Sequence, residues 1–361
     1  MVPSDMYFES VVQPEHNGWL LLDSLCTRFT YHSKMDWADK LARGLVSVNG
    51  VVANASTVAH KNDKVVYHVE NYTEPEVPTH YDVLFEDDEF MLVAKPAGVP
   101  VHHTGRIFYN TFTSIVRRGT DYETATPMHR LDRDTGGIML FAKYAETAAR
   151  FQKNLDRILL KKFYMAVVRG KFPEGDAGLS SIPASTRACV QVLPDGGMDC
   201  QMPLKEDPED NLRLRMHHFE DGKSCHTVFR KVASGIRPAV NEAGEAYMEP
   251  YSVVEAELIT GRKHQIRAHL SELGYPIVGD RLYSFDGRYY EKMSENVAAA
   301  RARGELSQED SLSEEDLAVL GAKSHMLYAY KAVIQLPYWR EPREFECRNF
   351  PEEMKILVSG K

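Results

Sequence analysis

A dense run of charged residues leads directly into an apolar strand near the middle of the chain. The run is HRLDRDT at residues 129–135, and it is followed by Gly136-Gly137 and the apolar sequence IMLFA. Burying charged side chains is costly unless each has a partner, so this position favours charges that act on one another or on a ligand. Two interpretations of Asp132 are open from this segment alone. It is either a structural anchor for a neighbouring arginine, or a nucleophile or base that an arginine holds.

Two further segments combine an apolar framework with polar side chains. In KKFYMAVVRG at 161–170, Tyr164 lies in a strand-like run, where a tyrosine is commonly a core residue with a satisfied hydroxyl group. In ELITGRKHQIRAHLSELGYPIVGD at 257–280, a strand leads into a helix that is predicted to end at Gly274, with Arg267 off its apolar stripe. His264 and His269 are five residues apart, not the four that place two imidazoles on one helical face. A metal site is therefore not predicted.

The composition narrows the class of protein and its cellular location. Hydrophobic residues make up 43% of the chain and charged residues 26%, which is typical of a soluble globular protein. There is no apolar run of about eighteen residues, as a membrane span requires, and the first residues lack the pattern of a secretory signal. The five cysteines are odd in number and form no Cys-x-x-Cys pair. This favours reduced thiols and a cytoplasmic location.

Overall charge does not favour binding to nucleic acid, but local charge permits it. The formal net charge is -9, which argues against a protein that coats nucleic acid through positive charge. Basic pairs nevertheless occur beside the three segments, at Arg117-Arg118, Lys161-Lys162 and Arg262-Lys263. An isolated pair is commonly solvated surface, whereas several pairs around one site could bind phosphate groups.

Local patterns predict several elements. Strands are predicted on both sides of Asp87-Asp88 and over FYMAVVRG, and a helix over 144–160. A capping box at Ser313–Asp316 and a stop at Gly321 predict a helix within a polar segment at 284–322. No regular element is predicted with any precision between residues 171 and 250.

The first eighty residues are predicted to form a separate unit. Residues 1–16 are interpreted as an arm, and 71–80 (NYTEPEVPTH) as a linker. Between them, two helices built on Leu25 and Trp37 precede a hairpin at Asn49-Gly50. Residues 17–70 resemble the small α/β RNA-binding module of ribosomal protein S-four, with Ser33-Lys34 where a basic residue usually starts the second helix.

The three segments, in this order, resemble the signatures of RluA-type RNA pseudouridine synthases. The matching residues are HRLDRDT-G, KxFYxAxVxG and TGRKHQIRAHL…GYPIVGD, and Lys95-Pro96-Ala97-Gly98 resembles the family's N-terminal catalytic segment. The family's Thr-Ser-Gly is replaced by Thr135-Gly136-Gly137. The resemblance implies an α+β catalytic domain over 81–361, with a mixed, mostly antiparallel sheet and a central cleft. The polar segment at 284–322 interrupts it as a helical insertion.

The resemblance also implies a reaction and a set of roles. The enzyme would flip specific uridines out of structured RNA and isomerise them through a covalent intermediate on Asp132. Ribosomal RNA is favoured as the substrate over transfer RNA. Tyr164, Arg267 and Arg130 would bind the substrate. No cofactor, metal or membrane partner is expected, and a monomer is expected. The candidates for contacts to the RNA backbone are Arg117, Arg118, Lys161, Arg262 and Lys263.

Two other functions compete with this one. The first is a non-catalytic RNA-binding or ribosome-assembly protein with a retired synthase domain. The intact set of Asp132, Tyr164 and Arg267 counts against it. The second is a metal-dependent hydrolase, which the absence of a recognisable ligand spacing disfavours.

Overall fold

The structure is a computed structural model that describes residues 4–29, 32–104, 107–302 and 312–359. The chain divides into two compact units. The first comprises Met1–Glu76 with Thr104–Ile107, and the second comprises Val77–His103 with Phe108–Lys361. Each is described separately below.

The strands and helices of the described residues are numbered in chain order. The strands are β1 Ser4–Val11, β2 Val46–Val48, β3 Val51–Val52, β4 Lys64–Tyr72, β5 Asp82–Glu86, β6 Phe90–Lys95, β7 Thr126–Pro127, β8 Gly136–Ala142, β9 Leu159–Arg169, β10 Val190–Val192, β11 Met198–Cys200, β12 Leu204–Lys205, β13 His217–His218, β14 Thr227–Val240, β15 Ala246–Leu258, β16 Leu327–Ile334 and β17 Arg343–Glu346. The helices are α1 Leu21–Arg28, α2 Lys34–Ala42, α3 Phe112–Gly119, α4 Ala145–Phe151, α5 Leu155–Ile158, α6 Gly175–Gly178, α7 Ala184–Arg187, α8 Gln265–Glu272, α9 Arg288–Ala302, α10 Glu314–Leu320 and α11 Glu352–Ser359. None of these helices is both long enough and apolar enough to cross a membrane.

The first unit packs two helices on a small antiparallel sheet with the order β1-β4-β2-β3. Helices α1 and α2 bury Leu25 and Trp37 in the core of this unit. The predicted hairpin is confirmed, since β2 pairs with β3 and Asn49 and Gly50 both have positive φ. The predicted arm is wrong for residues 4–11, which form β1 and pair with β4.

The second unit is built on one large sheet, and the predicted α+β class is confirmed. The central order is β14-β15-β9-β16-β8-β6-β5, and the pairs are antiparallel apart from β8 with β16. Strands β6 and β8 and residues 163–168 of β9 are buried because helices and loops cover the sheet, so these stretches are almost continuously apolar. The three sequence motifs lie on or beside β8, β9 and α8, which come together at the middle of this sheet.

Most of the locally predicted elements are confirmed, and one is wrong in its extent. Strands β5 and β6 flank Asp87-Asp88, and α10 begins with the predicted capping box and ends at Gly321. The helix predicted over 144–160 is wrong in its extent: α4, a 3-10 turn and α5 end at Ile158, and β9 begins at once. The region 171–250 contains the long hairpin strand β14 and the start of β15, which the sequence did not reveal. Residues 303–311 of the predicted insertion lie outside the described residues.

Candidate active site

Asp132 lies in the loop between β7 and β8, and buried polar groups hold that loop. The Lys95 ammonium is fully buried and donates to the carbonyl oxygens of Pro96, Val99 and Arg133, at 2.9, 2.7 and 2.9 Å. The Thr135 hydroxyl shares a hydrogen bond of 2.7 Å with His325 Nε2. Because buried polar groups need hydrogen-bond partners, these contacts fix the residues that directly follow Asp132.

The glycine pair after the loop brings it close to the centre of the sheet. Gly137 has a φ of +118°, and a methyl group built on it would lie 2.2 Å from the carbonyl oxygen of Ala329. Only glycine fits there, because it lacks Cβ and tolerates positive φ. This close approach allows β8 to pair with β16, where Gly137 is the partner of Ala329.

Arg267 joins Asp132 to a second, deeply buried carboxylate. Its Nη1 donates to Asp132 Oδ2 at 2.9 Å, while its Nε and Nη2 donate to the two oxygens of Asp280 at 2.7 and 2.9 Å. Asp280 is fully buried and also accepts the backbone N–H groups of Leu282 and Tyr283. The bidentate pair therefore sets the direction in which Arg267 presents its remaining donor.

The arginine decides the charge of Asp132. Burial would raise the pKa of this carboxyl group, but the Arg267 cation, helped by His264 and His325, lowers it to about 2. Its side chain is 24% exposed, so the carboxylate can be approached. Among the residues that the structure describes, only Oδ2 has a polar side-chain partner, and Oδ1 accepts no hydrogen bond. Asp132 is thus an ionised carboxylate with one oxygen held and the other open.

Tyr164 lies on β9 with its ring among small neighbours. Its partners across the sheet are Ala256 on β15 and Ala329 on β16. The tyrosine is 6% exposed, and burial together with the charge of Asp132 raises the pKa of its hydroxyl group above the usual value. It therefore stays protonated and can donate a hydrogen bond. No polar group of the described residues accepts that bond.

Sequence reasoning missed three residues that surround the ion pair. Asp280 lies in the third motif but was assigned no role, although a charged residue that directly follows an apolar run and a glycine was a visible signal. Tyr283 packs its ring against the Arg267 guanidinium, at 5.1 Å from the ring centre. His264 begins α8 with a φ of 53°, and its Nε2 lies 3.9 Å from Asp132 Oδ2. Burial first, and the Arg267 cation second, lower the pKa of His264 to about 4, so this imidazole is neutral at pH 7.

The arginine candidates for RNA binding differ in their exposure and in their hydrogen-bond partners. Arg130 is exposed, two residues before Asp132, and no described residue pairs with it. Arg117 and Arg118 end α3, and their side chains donate to the carbonyls of Ala125 and Tyr109 at 2.8 and 2.6 Å. Arg262 is exposed just before α8.

Two of the lysine and arginine candidates are already paired with carboxylates. Lys263 lies 2.6 Å from Glu206, and Lys161 lies 3.1 Å from Glu257. The charges of these two lysines are thus partly neutralised before any ligand binds. Within the described parts of the chain, no cluster of His, Cys, Asp and Glu side chains is arranged to hold a metal ion.

Comparison with known proteins shows which family the chain resembles. The family model described as RNA pseudouridylate synthase matches residues 89–272, which include Asp132, Tyr164 and Arg267. A mitochondrial tRNA pseudouridine(32) synthase of Saccharomyces cerevisiae is 31% identical over 74% of this chain and 50% of its own length. The tRNA pseudouridine(31) synthase of the same organism is 28% identical over 74% of this chain and 67% of its own.

The match to the yeast mitochondrial relative thus spans half of that protein's length. Among solved structures, Human RNA Pseudouridylate Synthase Domain Containing 1 overlaps with a TM-score of 0.48 at 21% identity, over 77% of this chain and 86% of that one. The family match spans about half of the chain, and it confirms the family and the enzyme class that the three motifs imply. The chain belongs to the RNA pseudouridylate synthase family.

Proposed function

We propose that this chain converts specific uridines in structured RNA to pseudouridine, with Asp132 as the nucleophile. The observation that carries the proposal is the state of the Asp132 carboxylate. It is ionised and partly buried, with Oδ2 held by Arg267 and Oδ1 open. A carboxylate nucleophile that forms a covalent intermediate divides one difficult substitution into two easier steps.

The reaction exchanges a glycosidic C–N bond for a C–C bond and needs no net oxidation or added group. The bond between C1′ and N1 of uridine breaks, and C1′ forms a new bond to C5. C5 then loses its proton, and N1 gains one. Asp132 Oδ1 adds to the target nucleotide and is expelled when the new bond forms. Arg267 holds the carboxylate in place while its charge changes.

In our proposal Tyr164 contacts the target base. The target base must leave the stack to reach a buried carboxylate, at a cost of a few kcal/mol. A buried aromatic ring beside Asp132 offers the extruded uracil a face to stack on. In our proposal the exposed Arg130, close to Asp132 in the loop, fills the gap that the flipped base leaves.

Two classes of RNA, ribosomal RNA and transfer RNA, are candidate substrates. The names of both yeast relatives state that they act on transfer RNA. We propose single-stranded loops of ribosomal or transfer RNA as the targets, because their bases are already partly unstacked. Of the five basic candidates, Arg117, Arg118, Arg262 and Lys263 are the proposed contacts to the backbone. Lys161 is not included, because it already forms an ion pair with Glu257 at 3.1 Å.

We further propose the domain organisation and the location of the chain. Residues 17–70 would act as the S-four-like RNA-binding module, 71–80 as a linker and 81–361 as the catalytic domain with its helical insertion. Crosslinking the full chain to RNA, followed by mass spectrometry, should give crosslinked peptides from 17–70. A cytoplasmic location is proposed from the cysteine pattern and is checked by cell fractionation. A monomer is also proposed and is checked by light scattering.

The test of the proposed function is a pseudouridine map of all RNAs in cells that lack the protein. Specific sites should vanish from the map, and the wild-type protein should restore them while Asp132→Asn does not. An unchanged map, or equal rescue by the mutant, would support the non-catalytic RNA-binding alternative instead. The map also identifies the substrate.

A further inference from the structure

Two adjacent lysines on β9 lie on opposite faces of the central sheet. β9 pairs with β16 in continuous register from Lys161 to Phe163, and the register shift before Tyr164 comes from an extra residue on β16, Tyr330. β9 itself is uninterrupted there, since Phe163 and Tyr164 pair with the consecutive residues Glu257 and Ala256 of β15. Because side chains alternate along a strand, Lys162 shares a face with Tyr164, and Lys161 shares the other with Phe163. The contacts agree, since Lys161 Nζ lies 5.8 Å from the centre of the Phe163 ring.

Lys161 is unsuited to hold RNA beside Tyr164. Its ammonium is on the opposite face and forms an ion pair with Glu257 at 3.1 Å. Glu257 is the partner of Phe163 across the sheet, which places it on that same face. A phosphate that bound Lys161 would have to compete with this carboxylate and would lie away from Asp132.

Lys162 lies on the same face as Tyr164 and, unlike Lys161, has no counter-ion among the described residues. Its side chain is half-buried, and no hydrogen bond or ion pair from the described residues reaches its ammonium. Burial lowers the pKa of Lys162, and no neighbouring carboxylate counters this effect. Leaving a half-buried cation without a counter-ion is unfavourable unless a ligand supplies one.

The surroundings of Lys162 connect all three motifs. A methyl group built on Gly261 would lie 3.6 Å from Lys162 Nζ, so the ammonium lies beside the start of the TGRKH segment. Its charge also lowers the pKa of His129, the first residue of the HRLDRDT run. Lys162 is thus between the loop that carries Asp132 and the loop that leads to Arg267.

We propose that Lys162, not Lys161, binds a backbone phosphate of the target RNA beside the flipped nucleotide. This proposal rests on the proposed function, because it assumes that uridine enters the site next to Tyr164. Strand residues two apart are separated by about 6.6 Å, so an anion at Lys162 is close to a base at Tyr164 without touching Asp132. The absence of side-chain atoms at Gly261 leaves room for the phosphate, and Arg262 supplies further positive charge.

The experiment compares Lys162→Gln with Lys161→Gln in the full chain. The probes are an unmodified transfer RNA transcript and a fluorescein-labelled twelve-nucleotide oligouridylate, titrated at several KCl concentrations. Lys162→Gln should weaken binding and lower the slope of log Kd against log[KCl] by about 0.7–0.9, the value for one phosphate contact. Lys161→Gln should leave the slope unchanged because Glu257 already neutralises that lysine. Lys162→Arg keeps the positive charge and should keep most of the affinity for RNA. If it does, the weaker binding of Lys162→Gln is due to the lost charge and not to a folding defect.

The outcomes separate this inference from the proposed function. An unchanged slope for Lys162→Gln, or a slope lowered by Lys161→Gln instead, would overturn the inference. A lower kcat with an unchanged slope would overturn it too, because Lys162 would then act on the chemistry. If the wild type binds RNA through Lys162 but forms no pseudouridine, the phosphate site stands and the proposed function fails. Failure of the wild type to bind either probe would overturn both.

Discussion

Asp280 binds Arg267 through two hydrogen bonds and leaves the third donor direction of the guanidinium to Asp132. The Asp280 bonds are 2.7 and 2.9 Å long, and the Arg267 bond to Asp132 is 2.9 Å long. Asp280 is fully buried and directly anchored by two backbone N–H groups. It is therefore a positioning residue, which acts on the nucleophile through the arginine.

Replacing Asp280 with asparagine should reduce activity although Asp280 touches no substrate. The amide cannot accept two charge-assisted hydrogen bonds, so Arg267 loses its fixed direction. Misplacement of a reacting group by about 1 Å can cost about 10²-fold in rate, and we expect a fall in kcat of about that size. The measurement is a single-turnover assay of pseudouridine formation.

Glu249→Gln is the matched control for Asp280→Asn. Glu249 is a buried carboxylate that also bridges arginines, Arg169 and Arg237, but it lies on β15 away from Asp132. Both variants should lower the free energy of unfolding by about 3 kcal/mol, as expected when a buried pair is broken. Only Asp280→Asn should lower the rate. Equal losses of activity would mean that Asp280 contributes stability alone.

Removing the Arg267 cation should change the pH dependence of the reaction. In the wild type the pKa of Asp132 is lowered to about 2, so Asp132 should cause no loss of rate as the pH falls towards about 4. In Arg267→Met, only His264 and His325 oppose the effect of burial, so the pKa of Asp132 is higher than in the wild type. The residual activity should then fall as the pH drops through this raised pKa. A profile with the same acid side in both proteins would show that Arg267 does not control the charge of Asp132.

Substitutions should separate the role of the Tyr164 ring from the role of its hydroxyl group. Phenylalanine keeps the ring, so Tyr164→Phe should bind RNA as tightly as the wild type but react more slowly if the hydroxyl group takes part in proton transfer. Tyr164→Leu should lose stacking, which contributes about 1–3 kcal/mol per base, and therefore bind more weakly. Kd and single-turnover rates measured for both variants test this. Full activity in Tyr164→Leu would exclude a stacking role.

Lys95→Met should destabilise the chain and disturb the Asp132 loop. The carbonyl oxygens of Pro96 and Val99 would lose this donor, while that of Arg133 would keep the N–H group of Gly98. Each unsatisfied buried acceptor lowers the free energy of unfolding by about 1–3 kcal/mol. Part of this loss of stability is offset because a methionine side chain is easier to bury than a charged one. We expect urea unfolding to show a loss of at least about 2 kcal/mol, together with reduced activity at a temperature where the variant is folded.

The control for Lys95 is Lys143→Met. Lys143 is also buried and donates to Glu86 and to the Asp87 carbonyl, at 2.9 and 2.6 Å. It lies at the far end of β8 from Asp132, so its loss should lower stability and leave the rate unchanged. A normal rate in folded Lys95→Met would show that the loop does not depend on Lys95.

Local sequence signals predicted elements well where side-chain chemistry sets the backbone. Asn49 and Gly50 accept positive φ, and Ser313 with Asp316 caps a helix, so both patterns gave the correct element. The helix over 144–160 was extended too far because Leu155 and Leu159 continue a helical spacing. Pairing of β9 with β16, through Ile334 and Leu159, overrides that spacing.

Long-range contacts were beyond the reach of the sequence. Asp132 and Arg267 were named because the motifs resemble a known family, but nothing local indicates that they meet across 135 positions. The position of Asp280 after an apolar run and a glycine was a visible signal, but its pairing with Arg267 was not. The opposite faces of Lys161 and Lys162 likewise became visible only with the register of β9.

The most direct test of the central claim compares Asp132→Asn with Asp134→Asn. The two aspartates are in one loop and are similarly exposed, at 24% and 27% of the side chain. Each purified protein is incubated with unmodified RNA that contains a site from the cellular map, and pseudouridine is measured by mass spectrometry. We predict that Asp132→Asn forms no detectable pseudouridine while Asp134→Asn retains activity close to that of the wild type. Product formation by folded Asp132→Asn would contradict the assignment of Asp132 as the nucleophile.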